Sequence, residues 1–248
     1  MSAPVILVTG GAGGLGVAIC AGLAQAGFRL AVGYKNSRAA AADLAASLPG
    51  TGHQALAFDV TDSIALPAAA AALARKMGGC DALVNGAGTT RFVAHADLNG
   101  LDDALINDIL TTNIRGPFAA VRALHPLLAR SNLPGGGVVI NISSIAARSG
   151  NGSNIMYCAS KAALDNMTLS LARALAPQIR VLSVSPGLVD TQFVKSLDQS
   201  WRDAQVAHTP LGRLAAPEEI AAAVLAAIRD LRFSTGFIIP VDGGRPLK

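Results

Sequence analysis

The sequence predicts a single doubly wound α/β domain built on a parallel sheet of about seven strands. Three observations predict it. Short β-branched runs alternate with Ala-rich stretches of helical length along the whole chain. These runs are almost wholly apolar instead of alternating, which is the pattern of strands buried on both faces. The first run ends in a glycine cluster that passes directly into a helical stretch. With 248 residues, 51% hydrophobic and 15% charged, the chain can bury one sizeable core and carries too little charge for a disordered polymer.

Taken in order, the first strand is expected over Val5–Thr9 and the first helix over Gly14–Ala26. A strand over Arg29–Tyr34 and a helix over Arg38–Leu48 follow, then a strand over Gln54–Phe58 and a helix over Ser63–Lys76. Ala82–Asn85 reads as the fourth strand and Asp102–Ala129 as one long helix. The last units are Val138–Ile142, Ile155–Leu175, Ile179–Val184, Pro217–Ile228 and Phe237–Pro240, alternately strand and helix. Pro217 with Glu218 and Glu219 is a good helix start, because Pro suits the first turn and acids suit the positive dipole end. The stretch 188–216 shows neither a clean strand nor a long helix; it carries Phe193 and Trp201, and connections of that length often act as lids. In such a sheet, ligands bind beyond the carboxyl ends of the strands.

Composition narrows the functional classes. The formal charge is +4, but no stretch gathers the basic residues and aromatics are scarce, so nucleic acid is not an expected partner. The first basic residue is Arg29, which leaves no charged start before an apolar leader. The longest apolar runs, near 64–74 and 220–228, fall short of the ~20 residues needed to span a bilayer, so no membrane partner is expected. Cys20, Cys80 and Cys158 are odd in number and widely spaced, which fits a reducing cytoplasm and gives no metal-ligand spacing. His125 and His208 lack ligand partners, and no metal is expected.

Two groups of residues carry chemistry. In Thr9-Gly10-Gly11-Ala12-Gly13-Gly14-Leu15-Gly16, glycines let the backbone turn sharply and approach a pyrophosphate, while the following helix offers N–H donors and a positive dipole end. Tyr157 and Lys161 are four residues apart, so on a helix they share a face. A free phenol has a pKa of about 10. A nearby ammonium favours the phenolate, so Lys161 is expected to pull Tyr157 down towards the neutral range and make it a usable proton donor and acceptor. A serine hydroxyl could steady a developing negative oxygen, and Ser143 and Ser144 are adjacent candidates that chemistry alone does not separate. Cys158 points away from Tyr157 around the helix and reads as a small buried residue.

The spacing TGxxxGxG resembles the short-chain dehydrogenase/reductase family, and the resemblance covers nearly the whole chain. Asp59-Val60 is similar to the family's adenine-contacting pair. Asn85-Gly86-Ala87-Gly88 is similar to its NNAG motif, with Gly86 in place of the usual Asn. Asn113 matches the Asn of the fourth helix, and Ser144 rather than Ser143 has the family's spacing to the tyrosine. Tyr157-Cys158-Ala159-Ser160-Lys161 matches YxxSK, and Val241-Asp242-Gly243-Gly244 matches a common carboxyl-terminal signature. Pro186-Gly187, with Val189 and Thr191 after it, matches the segment that holds the nicotinamide carboxamide.

The resemblance implies a Rossmann-type fold and hydride exchange between a nicotinamide dinucleotide and a carbonyl or alcohol carbon. Asn113, Ser144, Tyr157 and Lys161 would form the catalytic set. Gly10, Gly14, Leu15, Gly16, Asp59, Val60, Asn85, Ala87, Gly88, Tyr157, Lys161, Pro186, Gly187, Val189 and Thr191 would hold the cofactor. Asn113 would order a water linking Lys161 to solvent. Tyr34, Lys35, Asn36, Ser37 and Arg38 follow the second strand, where NAD-binding relatives often place an acid. No acid is present, and Lys35, Ser37 and Arg38 offer donors for a 2′-phosphate, so NADP(H) is expected over NAD(H). Gly13 departs from this pattern, since NADP-preferring relatives often carry a basic residue there. The tail Pro210-Leu211-Gly212-Arg213 with Pro217-Glu218-Glu219-Ile220-Ala221 resembles 3-oxoacyl-acyl-carrier-protein reductases.

Family likeness also implies a two-fold-symmetric homotetramer acting on a small-molecule substrate. Thr89–Phe92 and Ile145–Ser153 would face that substrate, with Arg91 and Arg148 among them. An acyl chain, a sugar and a small ketone all remain open. A non-catalytic dinucleotide-binding regulator is the rival reading, and an epimerase or dehydratase of the extended relatives is a third.

Overall fold

The computed structural model describes residues 3–196 and 198–247. Seven parallel strands form one sheet: β1 Val5–Thr9, β2 Arg29–Tyr34, β3 Gln54–Ala57, β4 Ala82–Asn85, β5 Gly137–Ile142, β6 Ile179–Pro186 and β7 Phe237–Val241. Their order is β3-β2-β1-β4-β5-β6-β7. The order reverses between β1 and β4, which makes that edge the switch point where the carboxyl ends open a crevice. Every residue of β1, β4, β5 and β6 is buried, in keeping with their mainly apolar runs.

Side-chain alternation splits the core in two. Ile6 and Val8 face a layer built with α1 (Gly14–Gln25), α2 (Arg38–Ser47) and α10 (Pro217–Arg229). Val5 and Leu7 face the opposite layer, built with α3 (Leu66–Met77), α5 (Gly116–Leu128) and α7 (Ile155–Leu175). Among the described residues no helix is long and apolar enough to cross a membrane.

Three boundaries differ from the sequence reading. Helix α3 begins at Leu66, not at Ser63, because the Asp62 carboxylate accepts the N–H groups of Ile64 and Ala65 and holds them in a turn. The helix expected over Asp102–Ala129 is interrupted. α4 (Asp103–Leu110) passes through a π-helical turn at Thr111–Arg115 into α5. Pro117 has no N–H to return to the Asn113 carbonyl, so an α-helical bond is missing at that place. The 188–216 stretch contains two short helices, α8 (Gln192–Lys195) and α9 (Gln199–Ala207), the latter capped by Asp198. Another short helix, α6 (Ala146–Ser149), lies between β5 and α7.

A row of polar side chains crosses the sheet where the apolar core ends. Thr9 is in register with Asn85, Asn85 with Asn141, and Asn141 with Ser183. All four are buried. Thr9 Oγ1 accepts the N–H groups of Gly86 and Ala87, both at 3.1 Å. Asn85 donates to Asn141 at 2.9 Å, and Asn141 donates to Thr168 of α7 at 2.9 Å. Ser183 donates to Asp165 of α7 at 3.1 Å. Gly86 permits the tight turn after β4, since a Cβ there would lie 2.9 Å from the Thr9 carbonyl oxygen.

At the opposite end of β6, Arg180 is 6% exposed and forms no ion pair with a carboxylate among the described residues. Its guanidinium donates to the carbonyls of Ala227, Ile228 and Leu231 at the end of α10, and to Gly135. A cation there answers the negative end of the helix. Arg180→Met should leave these buried carbonyls unpaired and cost about 3 kcal/mol. A urea titration should show the lowered midpoint, with Arg180→Lys intermediate; a midpoint equal to wild type would show that water replaces the guanidinium without loss.

Candidate active site

The carboxyl edge of β1, β2 and β4 opens into a cleft of about 500 Å³. Its floor is the glycine loop. Gly10 has φ +65°, a conformation that strains any L side chain. A Cβ on Gly16 would run into the Gly10 carbonyl oxygen and lie 2.8 Å from Gly11 Cα. The first turn of α1 has neither a side-chain cap nor an acid, so its N–H groups face the cleft without a carboxylate of their own. Gly88 is a further cradle: a Cβ there would approach Asn113 Oδ1 at 3.4 Å and Lys161 Nζ at 3.7 Å. A dinucleotide's phosphates and sugars fit a backbone bared in this way.

Most of the predicted cofactor residues line the cleft. They are Gly10, Gly14, Leu15, Gly16, Tyr34, Lys35, Asn36, Ser37, Asp59, Val60, Ala87 and Gly88. Asn85 lies beneath as part of the buried row, and Arg38 stands outside on the first turn of α2. Thr61, Asp108 and Thr112 line it too, and the sequence reading missed them. Thr61 had a signal in its position two residues after Asp59, whose carboxylate accepts both its N–H and its hydroxyl. Asp108 and Thr112 had none, since they reach the cleft only through the break between α4 and α5. Lys35 is not free: its ammonium pairs with Asp59 at 3.3 Å and donates to Thr61 Oγ1 at 2.8 Å. Burial works to raise the Asp59 carboxyl, but the Thr61 hydrogen bonds and then the Lys35 ammonium together hold it below its usual range.

Tyr157, Lys161, Ser144 and Asn113 cluster outside the lining itself, and they adjoin it where Asn113 and Lys161 stand behind Gly88 and Asn113 binds Thr89. Tyr157 is half-buried, and the Ser144 side chain is near enough to it to favour its phenolate. The structure separates the two serines. Ser143 is buried and turned to the Lys161 carbonyl at 3.5 Å, whereas Ser144 is partly exposed beside Tyr157. Lys161 is buried and donates to the Ile142 carbonyl at 2.8 Å, with its Nζ 5.7 Å from the centre of the Tyr157 ring. Asn113 Oδ1 accepts the Thr89 N–H at 2.8 Å, and its amide donates to Thr89 O and to Ser160 Oγ.

The electrostatics differ from the sequence expectation. Tyr157 is not drawn down by Lys161; burial pushes its phenol above the ordinary value, with the Ser144 side chain pulling the other way. Lys161 is pushed down to about 8 by burial, offset in part by the carboxylate of Asp165. Both shifts favour the neutral forms, as loss of water around a charge requires.

The carboxyl-terminal elements close the far side. Gly187 N–H donates to Val241 O, and Pro186 O accepts from Ile145. Val189 pairs with Ala215, so residues 190–214 leave and return at one neck. Thr191 faces Gly14, at 3.9 Å from where its Cβ would be. Asp190 binds Arg202 of α9 at 3.1 Å and Lys195 at 3.7 Å, which ties the excursion to its neck. Trp201 is 41% exposed. The Phe193 side chain lies outside the described residues. Arg91 and Arg148 are both paired, with Asp102 and Asp242. Cys158 is buried, and His125 and His208 are exposed away from the cluster.

Comparison with known proteins agrees with this geometry. The family profile described as enoyl-(acyl carrier protein) reductase matches residues 10–245. A cis-4-hydroxycyclohexanecarboxylate dehydrogenase of Sinomonas cyclohexanicum is 36% identical over 244 residues, covering 97% of this chain and 95% of the relative. A 3-oxoacyl-acyl-carrier-protein reductase of Vibrio cholerae is 33% identical over 242 residues, covering 97% and 96%. The crystal structure of a gluconate 5-dehydrogenase from Burkholderia cenocepacia, in complex with NADP and tartrate, superposes with a TM-score of 0.89 at 25% identity, covering 100% of this chain and 97% of that one. With its fold, its glycine cradle and its Tyr157–Lys161 pair, the chain belongs to the short-chain dehydrogenase/reductase family of NAD(P)-dependent oxidoreductases.

Proposed function

We propose that the protein is an NADP(H)-dependent oxidoreductase that interconverts a carbonyl and a secondary alcohol, chiefly as a reductase, with 3-oxoacyl thioesters among its substrates. The observation that carries this reading is a half-buried Tyr157 beside Ser144, with the buried Lys161 ammonium 5.7 Å from its ring and just behind Gly88 of the cleft. A bound nicotinamide supplies or accepts the hydride. In reduction Tyr157 Oη gives its proton to the substrate oxygen, while the Ser144 hydroxyl donates a hydrogen bond to that oxygen as charge develops. Lys161 restores the proton balance of Tyr157 and offers donors to ribose hydroxyls, and Asn113 orders the relay behind it. A non-catalytic regulator would have no use for these four side chains in one cluster.

Support for NADP(H) comes from Lys35 and Ser37 on the rim and from the absence of a carboxylate at the end of β2. Support for the thioester class comes from the relatives' names and the tail resemblance. The 190–214 excursion, held by Asp190 and Arg202, would fold over bound substrate and exclude water. We place the protein in the cytoplasm, where three buried free cysteines stay reduced. A two-fold-symmetric homotetramer would cover Phe118 on α5, Leu169 on α7, and Phe233 and Phe237 at the β7 edge, all exposed in the single chain.

An NADPH-oxidation screen over acyl thioesters, sugars, steroids and simple ketones tests the reaction. Tyr157→Phe should abolish turnover of any active substrate and spare cofactor binding; near-normal turnover would place the proton donor elsewhere. The pH dependence follows from the two shifts. Tyr157, pushed up, stays protonated at neutral pH and ready to donate, while Lys161 loses its proton as pH rises through about 8. Carbonyl reduction should therefore be fastest below that point and fall above it, with the apparent value belonging to the coupled pair. A reduction rate that climbs with pH across this range would contradict the assignment.

Replacing both Lys35 and Arg38 with Ala should weaken NADPH binding roughly tenfold and NADH binding much less. Most of the loss should come from Lys35, because Arg38 stands outside the cleft. Calorimetry giving equal losses, or tighter wild-type binding of NADH, would overturn the preference. Light scattering should report four copies per particle; a stable monomer at micromolar concentration would rule the tetramer out.

A further inference from the structure

The residue that begins the tyrosine-bearing helix does more than begin it. Asn154 is completely buried, although an asparagine at a helix start usually stands in water. Its Oδ1 accepts the N–H of Tyr157 itself at 2.7 Å. Its amide nitrogen donates to the Arg91 carbonyl at 2.7 Å and to Thr90 Oγ1 at 3.2 Å. The partners dictate which end is which, since the Tyr157 N–H can only donate and the Arg91 carbonyl can only accept.

A cap requires the acceptor alone, and Ser or Asp would serve equally well. Only an amide can also give two hydrogen bonds to the segment beyond β4. That segment is fastened at neighbouring points. Ser153 Oγ meets Thr90 Oγ1 at 2.6 Å, and the Ser153 carbonyl accepts the Val93 N–H at 2.8 Å. Asn113 grips Thr89 from the other side and reaches the Tyr157 carbonyl through Ser160. The turn bearing Tyr157 is thus held at its N–H by one buried asparagine and at its carbonyl, one hydroxyl removed, by another.

We propose that Asn154 is a positioning residue of this active site, which fixes the Tyr157 turn and locks the 89–93 segment to it, so that the proton donor and the wall beside it keep one geometry. The proposal rests on the oxidoreductase reading for its kinetic consequence only; the coupling itself is a property of the cofactor-free chain. Asn154→Ser keeps the cap and loses the amide donors, and Asn154→Ala loses both.

Hydrogen exchange on the full chain without cofactor reads the coupling directly. Asn154→Ala should speed exchange about fivefold in both 152–160 and 89–95, the factor expected from loss of a cap. Asn154→Ser should restore protection in 152–160 while 89–95 stays fast. With a carbonyl substrate found by the NADPH-oxidation screen, Asn154→Ala should lower kcat roughly tenfold through misplacement of the tyrosine. NADPH Kd should stay within about twofold of wild type. Asn154→Ser should regain kcat and keep a raised KM. If Asn154→Ala fails to fold, the Ser variant decides alone by its exchange in 89–95. Wild-type protection of 89–95 in the Ser variant, or full recovery of both kcat and KM, would reduce Asn154 to a cap and overturn the proposal. Absence of wild-type turnover on every carbonyl would overturn the oxidoreductase reading, and the exchange result would still decide the coupling.

Discussion

The 2.9 Å hydrogen bond from Asn85 to Asn141 is one link of the polar row on which the site is hung. A parallel sheet with both faces covered has no cheap place for polar side chains. Here they stand in one register across β1, β4, β5 and β6, at the last residues of β1 and β4 and towards the carboxyl half of β5 and β6. Thr9 holds the turn that carries Ala87 and Gly88, while Asn141 and Ser183 hold α7 through Thr168 and Asp165. Cofactor cradle and tyrosine helix are therefore fastened to neighbouring strands by bonds that exist only if the strand register is right. A slip of one residue would turn the row to the other face and release both.

Burial then sets the protonation states. Lys161 is withdrawn from water beneath the cleft, with its ammonium against the Ile142 carbonyl and Asp165 a turn away on the same helix. Tyr157 is half-covered and answered by Ser144. A surface lysine and tyrosine at this spacing would hold their ordinary values. Removing solvent loosens the proton on Lys161 and tightens the one on Tyr157, which makes packing and chemistry one problem here.

Much of this was legible in the sequence because it is encoded locally. Apolar runs marked the strands, the glycine cluster marked the cradle, and the spacing of Tyr157 and Lys161 placed both on one helical face. What stayed hidden depends on contacts between distant segments. Nothing in the residues near Lys35 shows that Asp59, on the next strand unit, would hold its ammonium. Nothing near Tyr157 shows how deep it lies, so the expected pull of Lys161 was set against no cost of burial. Asn154 looks like an ordinary cap until Thr90 and Arg91 are brought beside it. The division of Asp102–Ala129 had a local trace in Gly116-Pro117, but Pro in a helix's first turn and Pro after a break read alike.

The π turn at Thr111–Arg115 carries a consequence of phase. Such a turn holds one residue more than the α-helical path requires, and each residue advances a helix by about 100°. The helical wheel is therefore dealt twice: α4 faces α7, and α5, after the slip, faces α3 and the sheet. Asn113 sits at the slip itself, buried, on neither wheel. An indel of one residue is harmless in many loops, but here it would rotate every later position of α5 out of the core and carry Asn113 away from Thr89. This segment can change its letters and still fold, but it has almost no freedom to change its length.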